Sequence, residues 1–273
     1  MRFDDTKVWD RLYSDYEEAE RLGHKVLGVF LQGSQNYNLD YEGSDIDTKC
    51  VILPSFEDIC LGKRMVSTTH VLETNEHLDL KDIRDMMRQF KKQNINFLEI
   101  LFTEHFILNP TYYDLWMPMI DNREGNAHYN IVANVRATAG MSKEKLKALC
   151  LDRPAQHEEI MKFGWAKKQL HHCERLNEFI KRYTSGVSFE ECLISKDYDY
   201  LVDIKKNGHS LYTLEEAVAL GEKLDAETCE IYENFQDTHE EVIDEKMEEL
   251  MKEVTMNILK KSLREDVLSQ GVL

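Results

Sequence analysis

Two carboxylates two residues apart, Asp45 and Asp47, follow a Gly33-Ser34 pair across a ten-residue spacer, and this group carries the clearest chemical implication in the 273-residue chain. On a strand, residues i and i+2 share a face, so Asp45 and Asp47 would project together while Ile46 points into the core. Joined by a third carboxylate from a neighbouring strand, such a pair can hold two Mg²⁺ ions about 3.5–4 Å apart for in-line phosphoryl transfer, with Mn²⁺ as the alternative ion. Asp79 is framed by Leu78 and Leu80 and repeats the apolar-Asp-apolar pattern; Glu73 and Glu76 are less well framed. Gly33 would leave room for a triphosphate to lie against backbone N–H groups, and Ser34 adds a hydroxyl donor. Singly, a Gly-Ser pair is ordinarily a turn and Asp-x-Asp ordinarily a solvated or capping pair. The metal and triphosphate reading rests on their combination.

The flanking sequence supplies elements to position these residues. Val8, Leu12, Tyr16, Ala19 and Leu22 recur at helical spacing over residues 5–23, ending at Gly23 as a C-cap. Residues 25–32 are an apolar, β-branched run of strand length, and residues 45–53 read as its neighbour, stopped by Pro54. Two further strands are expected over 66–73 and 76–80 with a turn at Thr74-Asn75, followed by a helix over 81–93. The short apolar pieces 96–103 and 106–108 are ambiguous between helix and strand. Helices are expected near 111–122, 128–151, 155–184, 213–236 and 239–268, with residues 187–210 as a long connection holding Tyr198, Tyr200 and Asn207-Gly208. The fold class is therefore α/β (α+β): a small mixed sheet over residues 1–110, followed by an α-helical domain over 111–273 that closes the cleft.

A buried strand, Gly33-Ser34, ten residues, then Asp45-Ile46-Asp47 opening a second buried strand resembles the signature of the DNA polymerase beta nucleotidyltransferase superfamily. The resemblance implies that Gly33 and Ser34 bind the donor phosphates, that Asp45 and Asp47 bind metal, and that Asp79 is the third ligand. It is also the natural candidate to assist deprotonation of the acceptor hydroxyl. A narrower resemblance is to bacterial and phage proteins described as predicted nucleotidyltransferases of an RNA-repair-associated group. It is carried by Asn94-Ile95-Asn96-Phe97-Leu98-Glu99-Ile100-Leu101, where those relatives often have Pro in place of Ile95, and by Gly164-Trp165 followed by Lys168, His172 and Arg175. The resemblance implies an NTP donor, a hydroxyl acceptor and pyrophosphate release. An RNA end is the favoured acceptor; a protein hydroxyl or a small molecule suits the acidic charge equally well, and a catalytically silent nucleotide-binding protein is a competing reading.

Lys168, His172 and Arg175 fall at i, i+4 and i+7, on one helical face, while Phe163, Ala166, Leu170, Cys173 and Ile180 form a stripe on the other. Spacing alone suits a solvated basic face; the resemblance raises a nucleotide-binding clamp beside it. Residues 162–182 hold a local excess of Lys and Arg in a chain whose formal net charge is −17, which argues against broad nucleic-acid or anionic-membrane binding. Six scattered cysteines without CxxC spacing, no leader-like start and no bilayer-length apolar run lead to the expectation of a soluble, cytoplasmic protein with reduced thiols and no membrane partner. His171-His172 has no Cys or His at i+4 to complete zinc geometry. The loop from Asp40 places glycine fourth rather than sixth and Val51 twelfth, which excludes an EF-hand.

Overall fold

The computed structural model describes residues 5–72 and 76–269; Glu73 and the expected turn at Thr74-Asn75 lie outside the described residues. Helix α1 (Asp5–Arg21) buries Val8, Leu12 and Ala19, the apolar stripe read from the sequence, and the chain leaves it through Gly23 at φ +85°. Strand β1 (Lys25–Gln32) is buried from Val26 to Leu31, as a strand covered on both faces must be. Strand β2 (Asp47–Leu53) returns antiparallel to it. The register pairs Val26 with Ile52 but Gly28 with Val51, a bulge that shifts the side-chain alternation and lets Val26 and Val29 face the same way. Gly28 has no room for a side chain, because a Cβ there would lie 2.8 Å from the Ile107 carbonyl.

A short helix α2 (Phe56–Cys60), started by a Ser55–Asp58 capping box, leads to β3 (Ser67–Val71) and β4 (His77–Asp82). Helices α3 (Ile83–Lys91) and α4 (Ile95–Leu98), a 3-10 turn (Glu99–Leu101) and β5 (Phe106–Leu108) follow. The sheet order is β3-β4-β2-β1-β5, with β2 and β4 parallel and the other pairs antiparallel, so the sheet is mixed. One face packs on α1 through Val29, Leu31, Cys50, Ile52, Leu78 and Leu80. On the other face Phe30 meets Trp116, which in turn meets Phe90 of α3.

The rest is helical: α5 (Tyr113–Asp121), α6 (Arg123–Ala127), α7 (Ile131–Ala148), α8 (His157–Phe163), α9 (Lys167–Thr184), α10 (Phe189–Leu193), α11 (Tyr198–Leu211), α12 (Leu214–Thr238) and α13 (Glu245–Ser269). The expected single helix over 155–184 is two, because Gly164 turns the chain at φ +80°. The expected connection over 187–210 is instead α10 and α11. Gly208 lies inside α11 as a packing residue: a Cβ there would sit 2.9 Å from Lys167 Cγ and 3.2 Å from the Trp165 ring. Among the described residues no helix is long and apolar enough to cross a membrane.

Contacts divide the chain into two units. The sheet unit contains the residues through Asn36, Glu42–Tyr129 and the chain from Ile243 onward; the helical unit contains Tyr37–Tyr41 and Asn130–Val242. The composition changes near residue 110, yet α5, α6 and α13 group with the sheet. Trp116 fills that core, Met247 packs on Gly125, Lys25 donates to Asp266 at 3.1 Å, and the Tyr112 hydroxyl donates to Glu265 at 2.7 Å. In the helical unit α7, α9, α11 and α12 enclose Leu149, Trp165, Leu170, Cys173, Ile204, Ala217 and Leu224.

Candidate active site

The β1–β2 ladder ends by pairing Gln32 with Asp47, which brings the glycine and the acidic motif to one end of the sheet despite the spacer between them. Gly33 follows Gln32 at φ +87°, a left-handed conformation that favours glycine. A Cβ at Gly33 would lie 3.4 Å from Asp47 Oδ2. The turn is closed by Asn36 N–H donating to the Gly33 carbonyl at 3.1 Å, and Asn36 Nδ2 donates to the Leu31 carbonyl at 2.8 Å. Gln35 Nε2 reaches the Asp45 carbonyl at 2.8 Å, tying this turn to the acidic segment. Ser34 Oγ donates to Gln35 Oε1 at 3.3 Å. Ile46 packs against the α1-side core, as its pattern requires. Asp47 opens β2 and is half-buried; Asp45 is exposed and precedes the strand, so the two share one segment but not one strand.

Glu99 adds a contact that spacing did not indicate. It is 3% exposed, and its Oε2 accepts from the Gly33 N–H at 2.9 Å and from Asn36 Nδ2 at 3.3 Å. The amide expected to receive a phosphate oxygen therefore already has a carboxylate partner. The only advance signal was the position of Glu99 within the 94–101 stretch, which carried a resemblance but no role.

Asp79 lies on β4 in register with Lys49. Lys49 and Asp47 alternate with inward Thr48 and share the face away from α1, placing Asp79 about 8 Å from Asp47 by strand spacing. Its carboxylate is held on both sides: Lys49 Nζ is 3.0 Å from Oδ2, Lys81 Nζ is 3.0 Å from Oδ1, and Thr69 Oγ1 donates to Oδ1 at 3.3 Å. Lys49 is 3% exposed and lies 4.3 Å from the centroid of the Phe97 ring, which also borders Lys81 at 5.9 Å. Two ammonium groups on one carboxylate neutralise it and repel a divalent cation. In this arrangement Asp79 is the shared counter-ion of Lys49 and Lys81.

Among the described residues no three His, Cys, Asp or Glu side chains gather as a metal-holding group. Mg²⁺ nonetheless suits the remaining donors, since it is commonly held by one or two carboxylates and completes its octahedron with waters and substrate phosphate oxygens. Asp45 and Asp47 supply hard oxygen donors of that kind, whereas both Asp79 oxygens are already engaged by ammonium groups.

The three residues of the basic face lie on α9 in the helical unit, and they differ in burial. Lys168 is exposed, His172 half-buried and Arg175 buried. Of the two readings of this face, solvation describes Lys168 but not Arg175. Arg175 stacks its guanidinium 4.1 Å from the centroid of Tyr37. Tyr37 belongs to the spacer between Gly33-Ser34 and Asp45-Asp47, and residues 37–41 of that spacer group with the helical unit. There Lys205 Nζ donates to the Leu39 carbonyl at 3.4 Å and lies 5.1 Å from the Tyr41 ring. Burial, then the charges of His171, Lys145, Arg175 and Lys168, hold the His172 imidazole well below its ordinary pKa, so the ring is neutral at pH 7. Burial also pushes His171 down to about 3, although its ring nitrogen meets the Leu201 carbonyl at 2.9 Å. That contact gives the buried His171 ring a backbone partner on α11.

No protein-family model matches the chain, and no curated protein matches it.

Proposed function

We propose that this protein is a metal-dependent nucleotidyltransferase that moves a nucleoside monophosphate from an NTP to a hydroxyl acceptor and releases pyrophosphate. The observation that carries the reading is the approach of the Gly33 turn to the Asp47 carboxylate at the shared end of β1 and β2. A side-chain-free, left-handed turn beside an acidic pair is an arrangement that can set a nucleotide's phosphates against a bound cation. Asp45 and Asp47 would hold Mg²⁺, which when bound polarises the α-phosphate and lowers the pKa of the attacking hydroxyl. Ser34 donates to a phosphate oxygen. Glu99 anchors Gly33 and Asn36, keeping the turn against Asp47. Asp79 holds Lys49 and Lys81 in place on the same sheet face. Within the helical unit, Lys168, His172 and Arg175 are a separate set of nitrogen donors suited to phosphate oxygens. The acceptor favoured by the basic residues 162–182 is an RNA end, with a protein hydroxyl or a small molecule as the alternatives.

A silent nucleotide-binding protein is the second reading, favoured by the two ammonium groups on Asp79 and by the Glu99 carboxylate on the Gly33 amide. Incubation with Mg²⁺, each labelled NTP in turn, and small RNAs or the protein itself as acceptor separates the two. Pyrophosphate release that disappears in Asp47→Asn is the expected result. Equal background release by the wild type and Asp47→Asn, with NTP binding retained, overturns the enzyme in favour of the binder.

A further inference from the structure

We propose that Lys145, on α7, joins Lys168, His172 and Arg175 of α9 to form a site for a pyrophosphate-class anion, built within the helical unit and occupied without a metal. The proposal deepens the nucleotide-binding reading of the α9 face by adding a residue from a second helix and by naming the ligand chemistry.

The two helices are held close. Leu146 of α7, Leu149 just beyond its end and Leu170 of α9 converge on Gly221, where a Cβ would lie 3.1, 3.3 and 3.9 Å from their methyl carbons. Lys145 immediately precedes Leu146 and is half-buried at this seam. Arg175 is 7% exposed, its Nε has no hydrogen-bond partner, and the Nδ1 of His172 is likewise sealed from solvent without a partner. The face of the Arg175 guanidinium lies on Tyr37, which leaves donors at its edge directed elsewhere.

No ion pair among the described residues engages Lys145, Lys168 or Arg175. Ser142, one turn before Lys145, donates to Asp225 Oδ1 at 2.9 Å, so that carboxylate is engaged by a hydroxyl. Glu174 feels chiefly Lys181 among cations. Burial, followed by the like charges of Arg175, Lys168 and Arg153, holds the Lys145 ammonium below its ordinary pKa. Partly desolvated cations that like charges disfavour and no ion pair engages are stabilised by an external anion. Several point donors and one planar fork suit the many oxygens of a pyrophosphate unit better than a single carboxylate.

The test is calorimetric titration of the full chain with pyrophosphate in EDTA, for the wild type, Lys145→Met, Lys145→Arg and Lys143→Met. Lys143 is exposed on the same helix, on the side near Cys229, and controls for net charge. Thermal melts confirm that each variant is folded. Expected are salt-sensitive binding by the wild type, a roughly tenfold loss in Lys145→Met, the size of one lost charged hydrogen bond, retention in Lys145→Arg, and no change in Lys143→Met. The proposal is overturned by wild type that does not bind pyrophosphate in EDTA, by unchanged binding in Lys145→Met, or by equal losses in the two Met variants. Absence of metal-free binding alongside Mg²⁺-dependent transfer removes this site and leaves the enzyme; metal-free binding lost in Lys145→Met without transfer to any acceptor does the reverse.

Discussion

Replacing Asp79 with Asn separates the ion-pair role of this residue from the metal-ligand role that the sequence suggested. The substitution preserves shape and removes the one charge that both Lys49 and Lys81 contact at 3.0 Å. Lys49 is 3% exposed and Lys81 9%, so water cannot readily replace the carboxylate. Removing one partner of a buried ion pair costs about 3–5 kcal/mol. The Phe97 ring, 4.3 Å from Lys49 Nζ, recovers part of this, on the order of 1 kcal/mol. A net loss of about 3 kcal/mol is therefore expected, measured as a shift of the urea midpoint at pH 7 with an unchanged slope. Lys49→Met in the Asp79→Asn background should restore much of the loss, because it removes the charge left unpaired. In the pyrophosphate-release assay the Mg²⁺ concentration for half-maximal rate should stay put in Asp79→Asn and rise steeply, or the rate vanish, in Asp47→Asn. Wild-type stability in Asp79→Asn together with a raised Mg²⁺ requirement would refute the ion-pair reasoning and return Asp79 to the metal.

Two further outcomes are expected. Burial raises the Asp15 carboxyl to about 6 from 3.8, against the lowering effects of the Thr48 hydroxyl and Arg11. The folded protein then keeps a proton that the unfolded chain releases, so this contribution is fully present below about pH 4 and lost as pH rises to about 6, roughly 3 kcal/mol in all. Asp15→Asn should flatten that part of the stability profile in urea titrations between pH 4 and pH 7; an unchanged profile would show that Asp15 ionises freely in the fold. Gly33→Ala forces a side chain into φ +87° with its Cβ 3.4 Å from Asp47 Oδ2. A loss of about 1–2 kcal/mol is expected, with a larger proportional loss of pyrophosphate release than of stability; an activity loss no greater than the unfolded fraction explains would remove Gly33 from the site.

Legibility in the sequence followed the range of the interactions. Strand β1 and helix α1 were readable because burial imposes a local period, whereas the left-handed conformation of Gly33 is a backbone property that the Gly-Ser pair did not specify. The fate of residues 187–210 was not readable: Asn207-Gly208 has the local chemistry of a breaker, and only Trp165 and Lys167, some forty residues away, explain a glycine within α11. The boundary near residue 110 was read from a change in element type, whereas unit membership depends on what Trp116 and Met247 touch.

The same division holds at the site. The sequence by itself determined that a glycine turn and an acidic pair flank two buried strands, because strand pairing through a compact loop brings them together whatever the rest of the chain does. Only tertiary structure decided which charges meet: that Asp79 faces Lys49 and Lys81, that Glu99 takes the Gly33 amide, and that Arg175 lies on Tyr37. A carboxylate's type and spacing give its capacity to bind a cation. Whether that cation is a metal or an ammonium is set by the partner the fold delivers within about 3 Å, where Coulomb attraction and desolvation are both largest.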